Sequence, residues 1–355
     1  MDYPLMYPTP DGFIGDDFNR DYYSYSYGEI NQQRVDIYCD VINAGAIPSM
    51  LLYIYTAYLL LMHSPAYMAA SKWLLLNITS SCFLYDAALF LWKPVVVPGF
   101  SNFYYSNSWA KQLPSWMCVV LTATCAIAFS NLMHSLLIYM AYRYKCIISA
   151  SDDKSRLLSK NSHLVVLGVV TWPLALFSPI AFLLASTESR QEVDKRLKWQ
   201  VENRRNIDNN ERMLHLNASI ASLTSNDSRR TIWAPIFAIC VVLTCVVFGG
   251  IVLTLTVQYY RLVIHGHLTG KLSIRTRQLQ LMLYRAQTIQ LAFYFVFQIG
   301  PGVAVLLIGM HVLPMDDIIH FRNDNLFSLG MAFTSFHSFF DYFAILYFIR
   351  PYRYL

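Results

Sequence analysis

Long apolar stretches alternate with short charged ones along this chain. Five stretches contain no Asp, Glu, Lys or Arg, and two more, 73–92 and 325–349, contain one acid each, Asp86 and Asp341. About 20 mostly apolar residues are enough for a helix to cross a bilayer. The pattern therefore predicts seven membrane-spanning helices, over about 38–62, 73–97, 113–141, 163–185, 232–260, 279–311 and 327–349.

Composition supports a lipid environment. Hydrophobic residues make up 55% of the chain and charged residues 14%, whereas soluble proteins carry about 25% charged residues. We expect an all-α seven-helix bundle in a lipid bilayer, and we exclude soluble enzyme folds and nucleic-acid binding. The chain has no GxSxG, P-loop, HExxH or GxGxxG motif. No catalytic residue and no cofactor is therefore predicted.

The basic residues favour one orientation of the seven helices. The first 36 residues form an acidic, tyrosine-rich tail with seven acids and two arginines, which is typical of a flexible extracellular segment. If this tail lies outside, the inner segments 63–72, 142–162, 261–278 and 350–355 hold twelve basic residues. This distribution satisfies the positive-inside rule. It leaves 351–355 as a very short cytoplasmic tail.

The long loop 186–230 must then be extracellular. Its nine basic residues argue against this, although seven acids nearly offset them. Two glycosylation acceptor sites lie in the loop, at Asn217-Ala-Ser219 and Asn226-Asp-Ser228. Glycosylation at Asn217 or Asn226 requires the loop to face outward, so these sites favour the extracellular amino terminus.

The spacing of the cysteines and histidines indicates neither a redox motif nor a metal site. The seven cysteines contain no CxxC pair, and His265-Gly-His267 supplies two ligands without a third. We therefore predict no metal site. Cys39 and Cys118 lie near the outer ends of their helices, where a disulfide between them can form.

Polar residues inside the spans are the candidates for function, because each needs a partner or a water-filled cavity in lipid. Asp86 lies near the middle of the second span. Together with four residues of the third and seventh spans it forms a candidate interior network: Asn131, His134, His337 and Asp341. Two interpretations remain open. The network can bind a cation or water and repack on activation, or it can consist of structural hydrogen bonds, including a local His337–Asp341 pair.

The sixth span carries two further features. Pro301 lies between two glycines, and a proline there removes a backbone hydrogen bond and bends a helix. Pro301 is a candidate hinge, although packing alone explains many membrane prolines. The aromatic residues Phe293, Tyr294, Phe295 and Phe297 can line an apolar pocket, but lipid contact and helix packing explain them equally well. No ligand-binding residue can be assigned.

Three groups of residues resemble the nematode serpentine chemoreceptors, most closely the Srh class of the Str superfamily. The first and second groups lie around the second and sixth spans, and the third lies at the carboxyl terminus. The matching residues are Pro48, Ser64-Pro65, Met68, Lys72-Trp73-Leu-Leu-Leu-Asn77, Asp86, Pro94 and Pro98; Leu272-Ser273, Thr276, Leu279-Gln280, Gln290 and Pro301; and His337 and Pro351-Tyr352-Arg353. The family usually has Glu-Asn-Arg at the inner end of helix 3. Here only Arg143 remains, with Ala141 in place of the glutamate.

The resemblance implies a seven-helix receptor of the G-protein-coupled type, in the plasma membrane and cilium of sensory neurons. Such a receptor detects a small environmental or pheromone molecule and activates a heterotrimeric G protein. The basic residues at the predicted inner face are then candidates for G-protein coupling: Arg143, Lys271, Arg275 and Arg277.

Two rival functions remain. A ligand-gated cation channel resembling insect chemoreceptors also has seven helices, but its amino terminus lies inside. A transporter is disfavoured by the odd number of spans and by the absence of an internal repeat in the sequence. Glycosylation of Asn217 or Asn226 excludes the inverted channel topology, and substrate uptake into liposomes would favour the transporter.

Overall fold

The computed structural model describes residues 32–64, 69–97, 100–106, 115–150, 161–186, 220–222, 233–264, 274–301 and 323–348. Seven long helices account for most of them, which confirms the predicted seven-helix fold. Their bounds are α1 Gln32–Met62, α2 Ala69–Trp92, α3 Ser115–Ala150, α4 Asn161–Ser186, α5 Trp233–Ile264, α6 Ile274–Tyr294 and α7 Asn323–Phe348. We call the end of the bundle where α1 begins the predicted outer end.

A small antiparallel sheet lies at the predicted outer end. Its strands are β1 Pro94–Val97, β2 Phe100–Ser106 and β3 Ile220–Ser222, in the order β1-β2-β3. Val95 pairs with Tyr105, and Phe103 pairs with Ser222. The sheet therefore joins the connection after α2 to the long connection between α4 and α5.

The second helix ends earlier than the predicted residue 97. The Lys93 amide still donates to Leu89 O at 2.8 Å, but Lys93 itself has φ 43° and leaves the helix. Pro94 follows, and proline both lacks an N–H and disfavours helical conformation in the residue before it. The Tyr38 hydroxyl on α1 donates to Pro94 O at 2.8 Å. This bond attaches the start of the sheet to the bundle.

The bundle buries polar side chains within an apolar core and exposes apolar side chains on its outside. Valines 165, 166, 169 and 170 on α4 and Leu243, Val246 and Leu253 on α5 are exposed. Buried polar side chains include Ser49, Thr79, Asp86, Gln290, His337 and Asp341. Such a distribution suits a protein whose solvent is lipid. Among the described residues, three segments are long and apolar enough to cross a bilayer: Val35–Met62, Ser71–Trp92 and Val119–Cys146.

Helix packing places α2 and α3 at the centre of the described bundle. α2 packs against α1, α3 and α7, and α3 packs against α2, α4 and α5. α1 also packs against α7, and there Gly45 allows a close approach. A β-carbon on Gly45 would lie 2.5 Å from Ser335 Oγ and 2.8 Å from Ser335 O. The absent side chain thus sets the α1–α7 spacing, which positions α7 beside the polar residues of α2.

Candidate functional site

One polar side of α2 faces α3. Asn77 Nδ2 donates to Ser135 Oγ at 2.6 Å, and Asn131 Nδ2 donates to Ser81 Oγ at 2.7 Å and to Asn77 Oδ1 at 3.3 Å. Asn77 and Ser81 are four residues apart, and so are Asn131 and Ser135, so each pair lies on one helical face. The three bonds join the four side chains in one hydrogen-bonded group that holds α2 against α3.

A second side of α2 faces α7 and carries reactive groups. Cys82 and Asp86 lie one turn apart on α2, and His337 and Asp341 lie one turn apart on α7. Cys82 Sγ is 3.8 Å from Asp341 Oδ2, and His337 Nε2 is 4.0 Å from the same oxygen. All four side chains are buried. Near them, the Tyr342 hydroxyl donates to Thr79 O at 3.0 Å and joins α7 to α2.

Asp86 occupies a separate position between α1, α2 and α7. The hydroxyls of Ser49 and Ser338 lie beside its carboxylate, but neither carboxylate oxygen has a hydrogen-bond partner of good geometry among the described residues. Asp86 lies six residues, about 9 Å, before the end of α2 at Trp92. It is therefore nearer the predicted outer end than the sequence suggests, because α2 ends before the proline-containing strand.

The five residues predicted to form one network occupy three environments. Asp86, His337 and Asp341 lie at the α2–α7 contact, and Asn131 lies in the α2–α3 group. His134 faces α4, where its Nε2 lies 3.3 Å from Gly168 O. A separation of three residues turns His134 about 60° away from Asn131 around the helix axis. This rotation is enough to direct the two side chains to different neighbouring helices.

The aromatic residues of the sixth span mostly pack between helices. Phe293 and Phe297 contact Phe340 on α7, both with ring centroids 5.0 Å apart. The ring of the buried Tyr294 packs edge-on against the His337 ring, with the ring centroids 5.2 Å apart. Phe295 is 39% exposed on the outside of the bundle. These contacts connect α6 to the polar residues of α7, and they favour the packing interpretation for Phe293 and Phe297.

The helix before Pro301 departs from regular α-geometry. Residues Phe295–Ile299 form one turn of π-helix, in which the Gly300 amide donates to Phe295 O. Pro301 has no N–H to donate, and its ring would collide with a carbonyl of a regular helix. The π-turn accommodates the proline, and a β-carbon on Gly300 would lie only 3.1 Å from Phe295 O. Such turns occur often at functional sites, and this one coincides with the predicted hinge.

Arg143 lies beside a stacked pair of tyrosines at the predicted inner end. Arg143 is 3% exposed, and the Tyr259 hydroxyl on α5 lies within hydrogen-bonding reach of its guanidinium. Tyr259 also stacks on Tyr284 of α6, with ring centroids 4.9 Å apart. Arg143 thus lies where α3 meets α5, and Tyr259 connects this contact to α6.

Several predicted residues lie outside the described part of the chain. These include Lys271, Asn217 and Asn226, and for Cys118, Arg275 and Arg277 the side chains are not described. The Cys39–Cys118 disulfide and the roles of the basic residues at the start of α6 therefore stay predictions.

Sequence reasoning did not single out Cys82, Ser81, Tyr259 or Tyr284. Cys82 precedes Asp86 by four residues, and Ser81 follows Asn77 by four, so helical spacing from known candidates could have found both. Tyr259 and Tyr284 lie on different helices with no motif in common. No local signal in the sequence relates them to Arg143.

Comparison with protein families gives one match that covers most of the chain. The family model described as "Serpentine type 7TM GPCR chemoreceptor Srh" matches residues 33–355. No curated protein matches the chain. The matched range includes all seven described helices apart from the first residue of α1.

Proposed function

The chain belongs to the Srh family of serpentine chemoreceptors, and we propose that this membrane receptor binds a small environmental or pheromone molecule and activates a heterotrimeric G protein. The family is one of chemoreceptors and not of enzymes. The observation that supports G-protein coupling is the buried position of Arg143 at the predicted inner end of α3.

The residues around Arg143 hold the inner ends of the helices in a closed arrangement. Its Nε and Nη2 atoms have no hydrogen-bond partner within the described residues, and an incompletely paired buried cation is costly. A movement that exposes the guanidinium lowers this cost, whereas the contacts of Tyr259 with Arg143 and Tyr284 oppose the movement. The cost of burying Arg143 thus favours opening, and the Tyr259 contacts favour the closed arrangement. Both act at the place where a G protein would bind.

Activation in this proposal separates the inner ends of α3 and α6. The opened cleft would expose Arg143, and Arg143 would line it together with Lys271, Arg275 and Arg277. A ligand drives this change only if it binds the open arrangement more tightly than the closed one. We propose that it enters from the outer end between α3, α5, α6 and α7, and that the π-turn before Pro301 allows the inner half of α6 to swing.

The proposal places the receptor in the plasma membrane, in the cilium of a sensory neuron, with its amino terminus outside. Mapping sugar on Asn217 and Asn226 tests the orientation. We expect a glycosidase-sensitive mass on the full chain that persists in each single Asn→Gln variant and disappears in the double variant. Absence of sugar on both residues, in cells that glycosylate a control receptor, would contradict this orientation.

The role of Arg143 is tested by signalling from cells that display equal amounts of receptor at the surface. Arg143→Ala is expected to abolish the G-protein response to any compound that activates the wild type. Arg261→Ala removes an exposed arginine from the last turn of α5 and is the matched control, expected to keep most of the response. An unchanged response of Arg143→Ala would refute the proposed coupling role.

A further inference from the structure

Three different ligand atoms converge in the buried contact between α2 and α7. Cys82 Sγ, one imidazole nitrogen of His337 and one carboxylate oxygen of Asp341 all lie within 4.8 Å of one another. The three side chains are each at most 2% exposed. Cys82 and Asp341 are 259 residues apart in the chain, so this combination is created by the packing of the two helices.

Hydrogen bonding does not account for these donors and acceptors. His337 Nε2 and Asp341 Oδ1 have no hydrogen-bond partner of good geometry among the described residues. The contact from Cys82 to Asp341 Oδ2 is long, at 3.8 Å, and thiols are weak donors. Buried polar atoms are usually satisfied, and each exception calls for an explanation. An ion held between them would supply the missing partner.

The types of ligand atom indicate which ion fits. Thiolate, imidazole and carboxylate are all common ligands of Zn²⁺, whereas Mg²⁺ and Ca²⁺ prefer oxygen alone. A Cys82 thiolate and an Asp341 carboxylate together carry two negative charges. They would neutralise a divalent cation, as a site within the low-dielectric interior of a bilayer requires.

We propose that Cys82, His337 and Asp341 form a binding site for a divalent transition-metal ion, with Zn²⁺ as the best chemical match. Ligand atoms around a tetrahedral zinc are about 3.5 Å apart. The two separations to Asp341 Oδ2, 3.8 Å and 4.0 Å, and the third, which is within 4.8 Å, would each shorten on coordination. A water molecule would take the fourth position. Coordination releases the Cys82 thiol proton to solvent.

Such an ion would connect α2 to α7. It would hold the two helices together. Through the Tyr294–His337 contact it would also restrain the position of α6. The site requires no assumption about the ligand or the G protein. Its test can therefore succeed or fail independently of the proposed receptor mechanism.

The first experiment uses Co²⁺ as a spectroscopic substitute for Zn²⁺ on the purified full chain in lipid nanodiscs, after treatment with a chelator. We expect saturable thiolate-to-cobalt charge-transfer absorption at one ion per receptor, abolished by excess Zn²⁺. Cys82→Ser and His337→Gln should each abolish it. Cys125→Ser and His134→Gln replace the same residue types outside the cluster, on α3, and should retain it. Absence of the band in the wild type, or its persistence in Cys82→Ser, would overturn the proposal.

A second measurement needs no variant. We expect Zn²⁺ at a hundredfold excess over its Kd to raise the Tm of the wild type by about 5 °C and to slow alkylation of Cys82 by a membrane-permeant maleimide at least tenfold. The rate at the buried Cys125, resolved by mass spectrometry, should not change. Equal slowing at both cysteines, or no slowing at Cys82, would show that Zn²⁺ does not bind at this cluster.

Discussion

Tyr259 on α5 stacks on Tyr284 of α6, with their ring planes 9° apart and their centroids 4.9 Å apart. The hydroxyl of the same Tyr259 lies within reach of the buried Arg143 guanidinium on α3. One side chain therefore connects α5 to both α3 and α6, the two helices whose inner ends must separate in the proposed activation. The Tyr259 hydroxyl can be removed while the ring is kept, which makes the contact with Arg143 testable.

Loss of the Tyr259 hydroxyl should favour the open arrangement. A hydrogen bond to a charged group contributes about 1.5–3 kcal/mol, so Tyr259→Phe should raise G-protein signalling without ligand by about tenfold or more. The neighbouring Tyr260→Phe is the control, because Tyr260 is 40% exposed. Basal signalling is measured at equal surface expression. Wild-type basal signalling in Tyr259→Phe would mean that this hydroxyl does not hold the receptor closed.

Gly45 should tolerate no side chain. Gly45→Ala places a β-carbon 2.8 Å from the backbone oxygen of Ser335, which a rotamer change cannot relieve, so α1 and α7 must move apart. We expect a loss of about 1–3 kcal/mol in stability. Gly250→Ala is the control, because nothing lies within 4 Å of the added carbon. Thermal unfolding in detergent compares the two. Equal Tm values would contradict the close α1–α7 approach.

The α2–α3 hydrogen bonds should contribute a modest stability. Asn131→Ala removes two of them, and bonds of this kind within membranes contribute about 0.6 kcal/mol on average. We expect a loss of about 0.5–2 kcal/mol. Thr124→Ala on the same helix removes an exposed hydroxyl that bonds only to Val120 O among the contacts described. If Thr124→Ala lowers the Tm as much as Asn131→Ala, the interhelical group has no special role.

Pro301 should matter for the response more than for folding. Pro301→Ala restores the missing N–H and lets α6 form regular hydrogen bonds through the π-turn, which stiffens the proposed hinge. The expected result is a several-fold smaller maximal ligand response at normal surface expression. Pro173→Ala, an exposed proline on α4, should leave the response intact. A full response from Pro301→Ala would assign the proline to packing alone.

The sequence predicts the seven helices because charge is excluded from each apolar span, a constraint that acts locally along the chain. It does not predict where α2 ends, because the apolar pattern continues through Pro94–Val97 into a strand paired with β2. It also does not predict how each helix is rotated. His134 and Asn131 are equally polar, and only the packing of α3 shows that one faces α4 and the other α2.

The sequence also does not predict the contacts between helices that the structure reveals. Cys82 and Asp341 come together because Gly45 lets α1 and α7 approach and α7 then lies against α2. Tyr259 reaches Arg143 because α5 packs on α3. These are long-range consequences of packing, and no spacing along the chain encodes them.

Energy transfer between labelled G-protein subunits measures whether this chemoreceptor signals through a G protein. Cells expressing the full chain are exposed to a panel of volatile and soluble small molecules, with parallel recording of membrane current. We expect a saturable, compound-specific subunit dissociation that is absent without the receptor and lost in Arg143→Ala. A receptor-dependent cation current evoked by a compound that causes no subunit dissociation would contradict it.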